Sequence, residues 1–417
     1  MKTWENLKVT DIGNINDGDW ILNKNYSKFG VRLLQVGDIG LGKFVDKTNK
    51  FISENTASKL NVSIVTPGKD ILVARMPDPI GRACIAPFLP YKYIVAVDIS
   101  ILKVDESRFD IRYIMQLLNS KPILSKVQQK SAGATRIRIS RTNLESIKLR
   151  VPLLSEQTAI ANILSTVDEA IQKADEAITK TERIKQAMMQ KLLSEGIGHK
   201  EFKKTKLGKI PNNWKEFPVK EIFRVETGTT PSTKIKKFWQ NGTEIWITPA
   251  DLNKIGSKIY ISDSERKITL EGISKTNLSV VPENSLILST RAPVGYTAIN
   301  SRPVTFNQGC KALVHKEGIK TNVEFYYYLF LKIKQYLENI SGGSTFKELS
   351  KNLLENIRIP LPNYDEQHKI ANMLTDFDKK INLLKSRKQI YIRIKQGLMD
   401  DLLTGKKRAC LPAGRLK

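Results

Sequence analysis

Apolar and polar positions alternate along this chain with two different periods. Between Glu156 and Leu193, apolar or small residues recur at 160, 164, 167, 171, 174 and 178, alternating steps of four and three. That is the spacing of one seam on an α-helix that pairs with another. A second segment repeats it with Ile370, Leu374, Phe377, Ile381 and Leu384 before Lys388 breaks the pattern. Elsewhere the apolar runs are short. DILVA (70–74), YIVAVDISIL (93–102), SLILS (285–289) and KALVH (311–315) are bounded by Pro, Gly, Asn or Asp and predict strands. FDIRYIMQLLNS (109–120) and VEFYYYLFLKIKQYLENI (323–340) are amphipathic and predict helices.

The two long periodic segments are copies. SEQTAIANILSTVDEAI (155–171) and DEQHKIANMLTDFDKKI (365–381) align without gaps at an offset of 210 (366 − 156 = 210). The same offset carries Arg183-Ile184-Lys185-Gln186 onto Arg393-Ile394-Lys395-Gln396. Upstream it carries SAGATRIRISRTNLESI (131–147) onto SGGSTFKELSKNLLENI (341–357). Near the start, Trp4, Val9, Ile12 and Gly18 meet Trp214, Val219, Ile222 and Gly228. Between these ends the register drifts, so Asp38 pairs best with Asp251, and RMPDPIG (75–81) with RAPVG (291–295). The chain is a tandem duplication, a diverged globular unit followed by a long helix, twice over. Shared ends with unlike middles fit one common task at the ends and two different tasks in the middles.

The expected fold is α+β: two mixed globular domains separated by two long antiparallel coiled-coil helices with an internal pseudo-twofold repeat. If the helices pair and the copies are related by that twofold, the second runs back along the first, which predicts a dumbbell. A helix of about forty residues is about 60 Å long, which favours pairing over packing inside one domain. The expected boundaries are 1–154 and 199–364 for the domains, 155–198 and 365–405 for the helices, and a basic disordered tail at 406–417. GIGHKEFKKTKLGKIPNNW (196–214) reads as the linker into the second domain. The first domain begins at MKTW without most of that leader, and the tail has no counterpart in the repeat.

Charge narrows the partner. The formal net charge is +26, from 68 Lys+Arg against 42 Asp+Glu, which points to a polyanion and first of all to nucleic acid. A Lys-rich proteome could produce the surplus but not the repeat. No run of 18 apolar residues and no signal-peptide pattern supports a membrane. Cys84, Cys310 and Cys410 fit neither a metal site nor a disulfide framework, and His199, His315 and His368 show no ligand spacing. The expectation is a cytoplasmic chain with no metal.

Catalytic motifs are missing. There is no GxxxxGK[ST] loop, no GxGxxG after a strand and no nucleophile–His arrangement. The Asp-Pro-Pro-Tyr type of motif with which adenine methyltransferases hold their base is absent too. The chain is expected to perform no reaction itself and to bind no cofactor. Its loops instead have the composition that reads DNA: TGTTPSTK (227–234), ITPADL (247–252), STRAPVGY (289–296), FNQGCK (306–311) and SGGSTFKEL (341–349). Arg reads guanine and Gln or Asn reads adenine, while Ser, Thr, Lys and backbone amides hold phosphates. The candidates are Thr230, Arg291, Gln308, Lys311, Thr345 and Lys347 in the second domain. In the first they are Arg75, Arg82, Thr135, Arg136 and Arg138. Gly133 and Gly343 read as turn glycines.

These features resemble the specificity subunits of type I restriction–modification systems. The resemblance is carried by VPLLSEQTAIANILSTVD (151–168) and IPLPNYDEQHKIANMLTDFD (359–378), the helix ends MMQKLL and LMDDLL, and the loops RAPVG, FNQG and GSTFKEL, over nearly the whole chain. It implies two target-recognition domains, each reading one half of an asymmetric split site in double-stranded DNA. It implies that the helices act as a ruler and as docking surface for two methyltransferase subunits, with Ile160, Leu164, Val167, Ile171, Ile178, Ile370, Leu374, Phe377, Ile381 and Leu384 as the coiled-coil and docking positions. S-adenosylmethionine, ATP and Mg would then belong to the methyltransferase and restriction/translocase partners. Two other roles share these features, a stand-alone DNA-binding regulator and the specificity component of a fused restriction–methylation enzyme.

Overall fold

The computed structural model describes residues 4–133, 137–256, 258–291, 293–342 and 348–409. The chain divides into two compact units, Met1–Ala174 with Arg387–Lys417, and Asp175–Ser386. The first contains head one and the second head two.

Head one is built on a four-stranded antiparallel sheet ordered Gly13–Asp17, Ile99–Val104, Asp70–Ala74, Ala83–Ile85. DILVA is buried along its whole length, as a central strand covered on both faces must be. A second sheet runs Tyr26–Ser27, Lys50–Ile52, Val31–Leu34, Tyr93–Val95, the last pair parallel. The helix Ile111–Leu118 closes one face with Tyr113, Ile114 and Leu117 in a core shared with Ile71, Val73 and Leu102. Burying side chains of this size contributes about 1.5–3 kcal/mol each.

Head two repeats the topology. Phe223–Thr227, Cys310–His315, Leu286–Ser289 and Thr297–Asn300 follow in the same sheet order, with Tyr260–Ile261 added at the edge. Glu244–Ile247 pairs in parallel with Thr305–Phe306, as Val31–Leu34 does with Tyr93–Val95. Gly18 and Gly228 show why their match survives in the sequence. A Cβ on Gly18 would stand 2.3 Å from the Ala96 carbonyl oxygen, and one on Gly228 would stand 2.1 Å from that of Asn307. Gly81 and Gly295, ending RMPDPIG and RAPVG, both sit at positive φ, +86° and +89°.

The long helices span Leu154–Glu195 (42 residues) and Tyr364–Leu402 (39 residues). In the first unit Asp168 pairs with Lys395 at 2.7 Å and Glu156 with Arg408 at 2.5 Å. In the second, Lys185 pairs with Asp378 at 2.6 Å and Glu182 with Lys385 at 2.8 Å. Rising numbers on one side meet falling numbers on the other, so the helices run antiparallel within each unit.

Two segments differ from expectation. The stretch read as a linker folds: Phe202–Thr205 and Gly208–Pro211 form a hairpin, with Gly208 at φ +108° supplying the turn. The tail read as disordered is tied down at residue 408 by the ion pair to buried Glu156, while residues 410–417 lie outside the described residues.

Candidate nucleic-acid interface

The loops of head two converge. Gly228 lies against the backbone of Phe306 and Asn307, and Gly309 against Pro249. The Thr290 amide donates to the Gly309 carbonyl at 2.7 Å, and the Leu349 amide to the Thr290 carbonyl at 2.8 Å. The described residues of TGTTPSTK, ITPADL, STRAPVGY and FNQGCK, with Leu349 at the end of SGGSTFKEL, therefore meet. Buried Asp251 caps the helix Pro249–Lys254, accepting from the Thr248 amide at 2.8 Å and the Glu265 amide at 2.9 Å.

Head one gathers a matching set. The Arg75 guanidinium lies 3.2 Å from Asp17, Arg141 lies 4.0 Å from the same carboxylate, and Arg138 lies 3.2 Å from Asp98. The Ala132 and Arg138 backbones pair and the Ile139 amide donates to the Arg75 carbonyl at 3.1 Å, so Arg138 and Ile139 are anchored beside this cluster. Asp38 plays the part of Asp251, accepting from the amides of Gln35, Lys47 and Thr48.

Three proposed DNA contacts prove to be internal. Arg82 is buried, donating to the carbonyls of Ile39 (2.6 Å), Val36 (2.7 Å), Met76 (2.9 Å) and Pro79 (3.0 Å). Lys311 is buried and donates from Nζ to Thr290 Oγ1 at 3.0 Å and to the Leu349 carbonyl at 2.9 Å. Arg75 is buried on Asp17 and also donates to the Val97 carbonyl. Burial pulls the pKa of all three downward, partly offset at Arg75 by Asp17. Arg82 and Lys311 point their donors at carbonyls and a hydroxyl of the loops, and Arg75 turns its guanidinium inward to Asp17 and Val97 with its Nε left unpartnered. They pin the loops from beneath.

The remaining described candidates are accessible. Arg291 keeps 46% of its side chain exposed and pairs with Glu348 at 3.1 Å, whereas Arg75, its match in the repeat, keeps 3%. Arg138 and Thr230 are half-buried and Gln308 is exposed. Thr135, Arg136, Gly343, Thr345 and Lys347 lie outside the described residues. Sequence reading missed Asp17, Asp98 and Glu348, the carboxylates that hold these arginines. Asp98 is the one charged residue in the run YIVAVDISIL (93–102), which was the available signal.

The repeated Pro–EQ–IA–L–D motif is a joint between helix and head. Gln157 donates from Nε2 to the Pro152 carbonyl at 2.9 Å and accepts from the Asp110 amide at 3.0 Å. Gln367 does the same with the Pro362 carbonyl (2.9 Å) and the Asn322 amide (2.9 Å). Asp110 and Asn322 are the N-caps of the head helices Ile111–Leu118 and Val323–Lys332. Asp168 accepts from Gln116 and Asp378 from the Tyr328 hydroxyl, both at 2.7 Å.

Hence Ile160, Leu164, Ile370 and Leu374 are fully buried in the cores of the heads and closed to any other protein. Ile178 and Ile381 are buried as well, and Val167, Ile171, Phe377 and Leu384 are half-buried. Past the first residues Leu154 and Tyr364, the large apolar side chains exposed on the helices lie off the seam: Leu383, Ile390, Ile394, Ile184, Ile163 and Met373. Heptad counting passes over them by construction. Among the described residues no helix is long and apolar enough to cross a membrane.

Comparison with known proteins gives a consistent picture. The family model described as type I restriction modification DNA specificity domain matches residues 1–182 and 211–393. The MjaIX type I restriction enzyme specificity subunit of Methanocaldococcus jannaschii is 43% identical over 196 residues. That alignment covers 46% of this chain and 44% of the relative, so it spans less than half of that protein. The MjaVIII specificity subunit of the same organism is 26% identical over 375 residues, covering 87% of this chain and 85% of its own. A solved chain of a type I R-M system superposes with a TM-score of 0.62 at 15% identity, covering 97% of this chain and 98% of that one, a likeness of fold.

Proposed function

The chain belongs to the type I restriction–modification DNA specificity family, and from that premise we propose that it is the sequence-reading subunit of such a system. Each head reads one half of an asymmetric bipartite target through its converged loops. The single observation that carries this reading is one topology used twice with unlike loop chemistry. Head two presents Arg291, Gln308 and Thr230, while head one presents Arg138 beside Asp98.

The physics of each loop set suits a duplex. Buried Arg82, Arg75 and Lys311 fix the loops before DNA arrives, so little ordering entropy is lost on binding. Exposed arginines held by carboxylates are neutralised in the free protein and exchange that partner for guanine or phosphate. The net charge of +26 supplies the sequence-independent attraction.

The paired helices, clasped to each head by the Gln157 and Gln367 joints, set the number of base pairs between the half-sites. The open apolar positions Ile390 and Ile394, four residues apart on the second helix, are a docking face for a methyltransferase subunit. Adenine methylation with S-adenosylmethionine, and ATP- and Mg-dependent restriction, are assigned to those partners, and this chain contributes no catalytic group.

Selection of bound sequences from a randomised duplex pool by the full-length chain tests this. The expected result is two unlike short motifs at a fixed separation. One continuous motif contradicts it. A regulator acting alone would select equally well without partners, and mapping methylated adenines in the source organism separates that role from this one.

A further inference from the structure

Head one exposes an indole at the place where head two carries Thr230. Counting from the matched glycines Gly18 and Gly228, Trp20 falls on Thr230, within the loop set that gathers in head two. Trp20 is 70% exposed, an unusual state for so large an apolar side chain.

The backbone leading into it is held firmly. The Gly18 amide donates to the Ile99 carbonyl at 2.9 Å and the Asp19 amide to the Val95 carbonyl at 2.8 Å, with Gly18 pressed on the 95–96 backbone. The Asp19 carboxylate accepts from the Ser63 amide at 3.1 Å. Immediately before lies Asp17, the partner of Arg75 and Arg141. Trp20 thus flanks the charged cluster of head one, on a loop held before it at Gly18 and Asp19 and after it where Tyr26–Ser27 pairs with Phe51–Ile52.

The following chain adds the setting. From Trp20 to Val36 there is no acidic residue, and Lys24 and Lys28 are exposed in that stretch beside Phe29, itself 79% exposed. Exposed aromatic rings interleaved with exposed lysines suit a duplex, whose thymine methyl groups offer apolar contact in the major groove and whose phosphates take the cations. In head two the basic stretch after Gly228 also lacks acids up to Glu244, but its indole, Trp239, is covered by the Arg266 guanidinium at 4.0 Å.

We infer that Trp20 is a specificity-determining residue of head one, making an apolar contact with a base of its half-site while Lys24 and Lys28 meet the flanking phosphates. This rests on the reading of each head as a DNA reader. It adds that the two heads differ in kind, with a bare indole in one and a polar Thr at the matching place in the other.

The test selects sequences from a randomised duplex pool with full-length wild type, Trp20→Ala, Trp20→Phe and Arg291→Ala. Trp20→Ala is expected to lose preference at one or two positions of one half-site and about tenfold in affinity, while the other half-site is selected unchanged. That intact half shows that the chain is folded. Trp20→Phe keeps the wild-type pattern, and Arg291→Ala alters the opposite half. Trp20→Ala selecting both halves as wild type does, with equal affinity, overturns the inference and leaves the indole to a protein partner. Wild type selecting no paired motif overturns the underlying reading instead, and this inference with it.

Discussion

Trp214 donates its indole N–H to Glu366 Oε2 at 3.0 Å, tying the first buried aromatic of head two to the start of the second long helix. The other carboxylate oxygen accepts from the Ile197 amide at 2.9 Å and lies 2.7 Å from His199 Nε2. The segment leaving the first helix is thereby fastened to the beginning of the second. In head one Glu156 occupies the matching position and is held by Arg408 through two contacts, at 2.6 and 2.5 Å. The same clasp is closed by different chemistry in the two copies.

Glu366→Ala should therefore lower the unfolding free energy by about 2–4 kcal/mol, because it orphans three buried or half-buried donors at once. Glu366→Gln, which keeps one acceptor oxygen, should cost about half as much. Denaturant titration of the two variants measures both. A loss below about 0.5 kcal/mol for the alanine variant would show that the clasp carries no stability.

The buried and the exposed cations should separate into two classes. Arg82→Ala removes donors from four loop carbonyls. It should cost about 2–4 kcal/mol of stability. Arg291→Ala should leave the melting temperature within a degree or two and weaken specific binding by about 1–3 kcal/mol. Melting curves and DNA titrations on the same preparations distinguish the two effects. Equal stability losses for both would contradict the assignment of one to scaffold and the other to interface.

Gly18→Ala and Gly228→Ala should each disable one head. The added methyl would stand 2.3 Å from the Ala96 carbonyl oxygen in one case and 2.1 Å from the Asn307 oxygen in the other. Neither neighbour is a flexible side chain, so the loop must shift, at about 1–3 kcal/mol. Sequence selection should then lose one half-site in the first variant and the other in the second. Loss of both halves from either change would mean that the heads do not read independently.

Lys332 gives a pH signature for head two. Its ammonium donates to the Leu193 carbonyl at 2.9 Å and to Ser194 Oγ at 2.6 Å, at the end of the first long helix, and burial pulls its pKa down to about 8. Below pH 8 the amine is charged in both folded and unfolded chains. Between about 8 and the ordinary value of 10.5 the unfolded chain holds a proton that the folded chain has released, so this group's contribution to stability rises with pH. Stability measured across that window should rise more steeply for wild type than for Lys332→Met. Parallel curves would contradict it.

Much of the architecture was legible because it is written in periods. Heptad spacing marked both long helices, and apolar runs such as DILVA and SLILS marked strands that are buried in the structure. The 210-residue offset identified the duplication, and pairs such as Gly18 and Gly228 match because backbone presses on both. Residue type alone could not tell Arg82 from Arg291. An arginine in a polar loop looks the same whether carbonyls enclose it or a carboxylate steadies it at the surface, and that difference is set by how separate loops converge. Ile160 and Leu164 misled in the opposite way. Their spacing is that of a helix pair, yet the first turns of each helix are enclosed by the head's own core, so the same periodicity serves a joint there.

Deleting seven residues from the middle of each long helix, and repeating sequence selection with the full-length protein, tests the central claim most directly. Seven residues shorten a helix by about 10 Å, the length of about three base pairs. Both half-site motifs should be selected unchanged with a shorter gap between them. Altered half-sites, or an unaltered gap, would contradict the account.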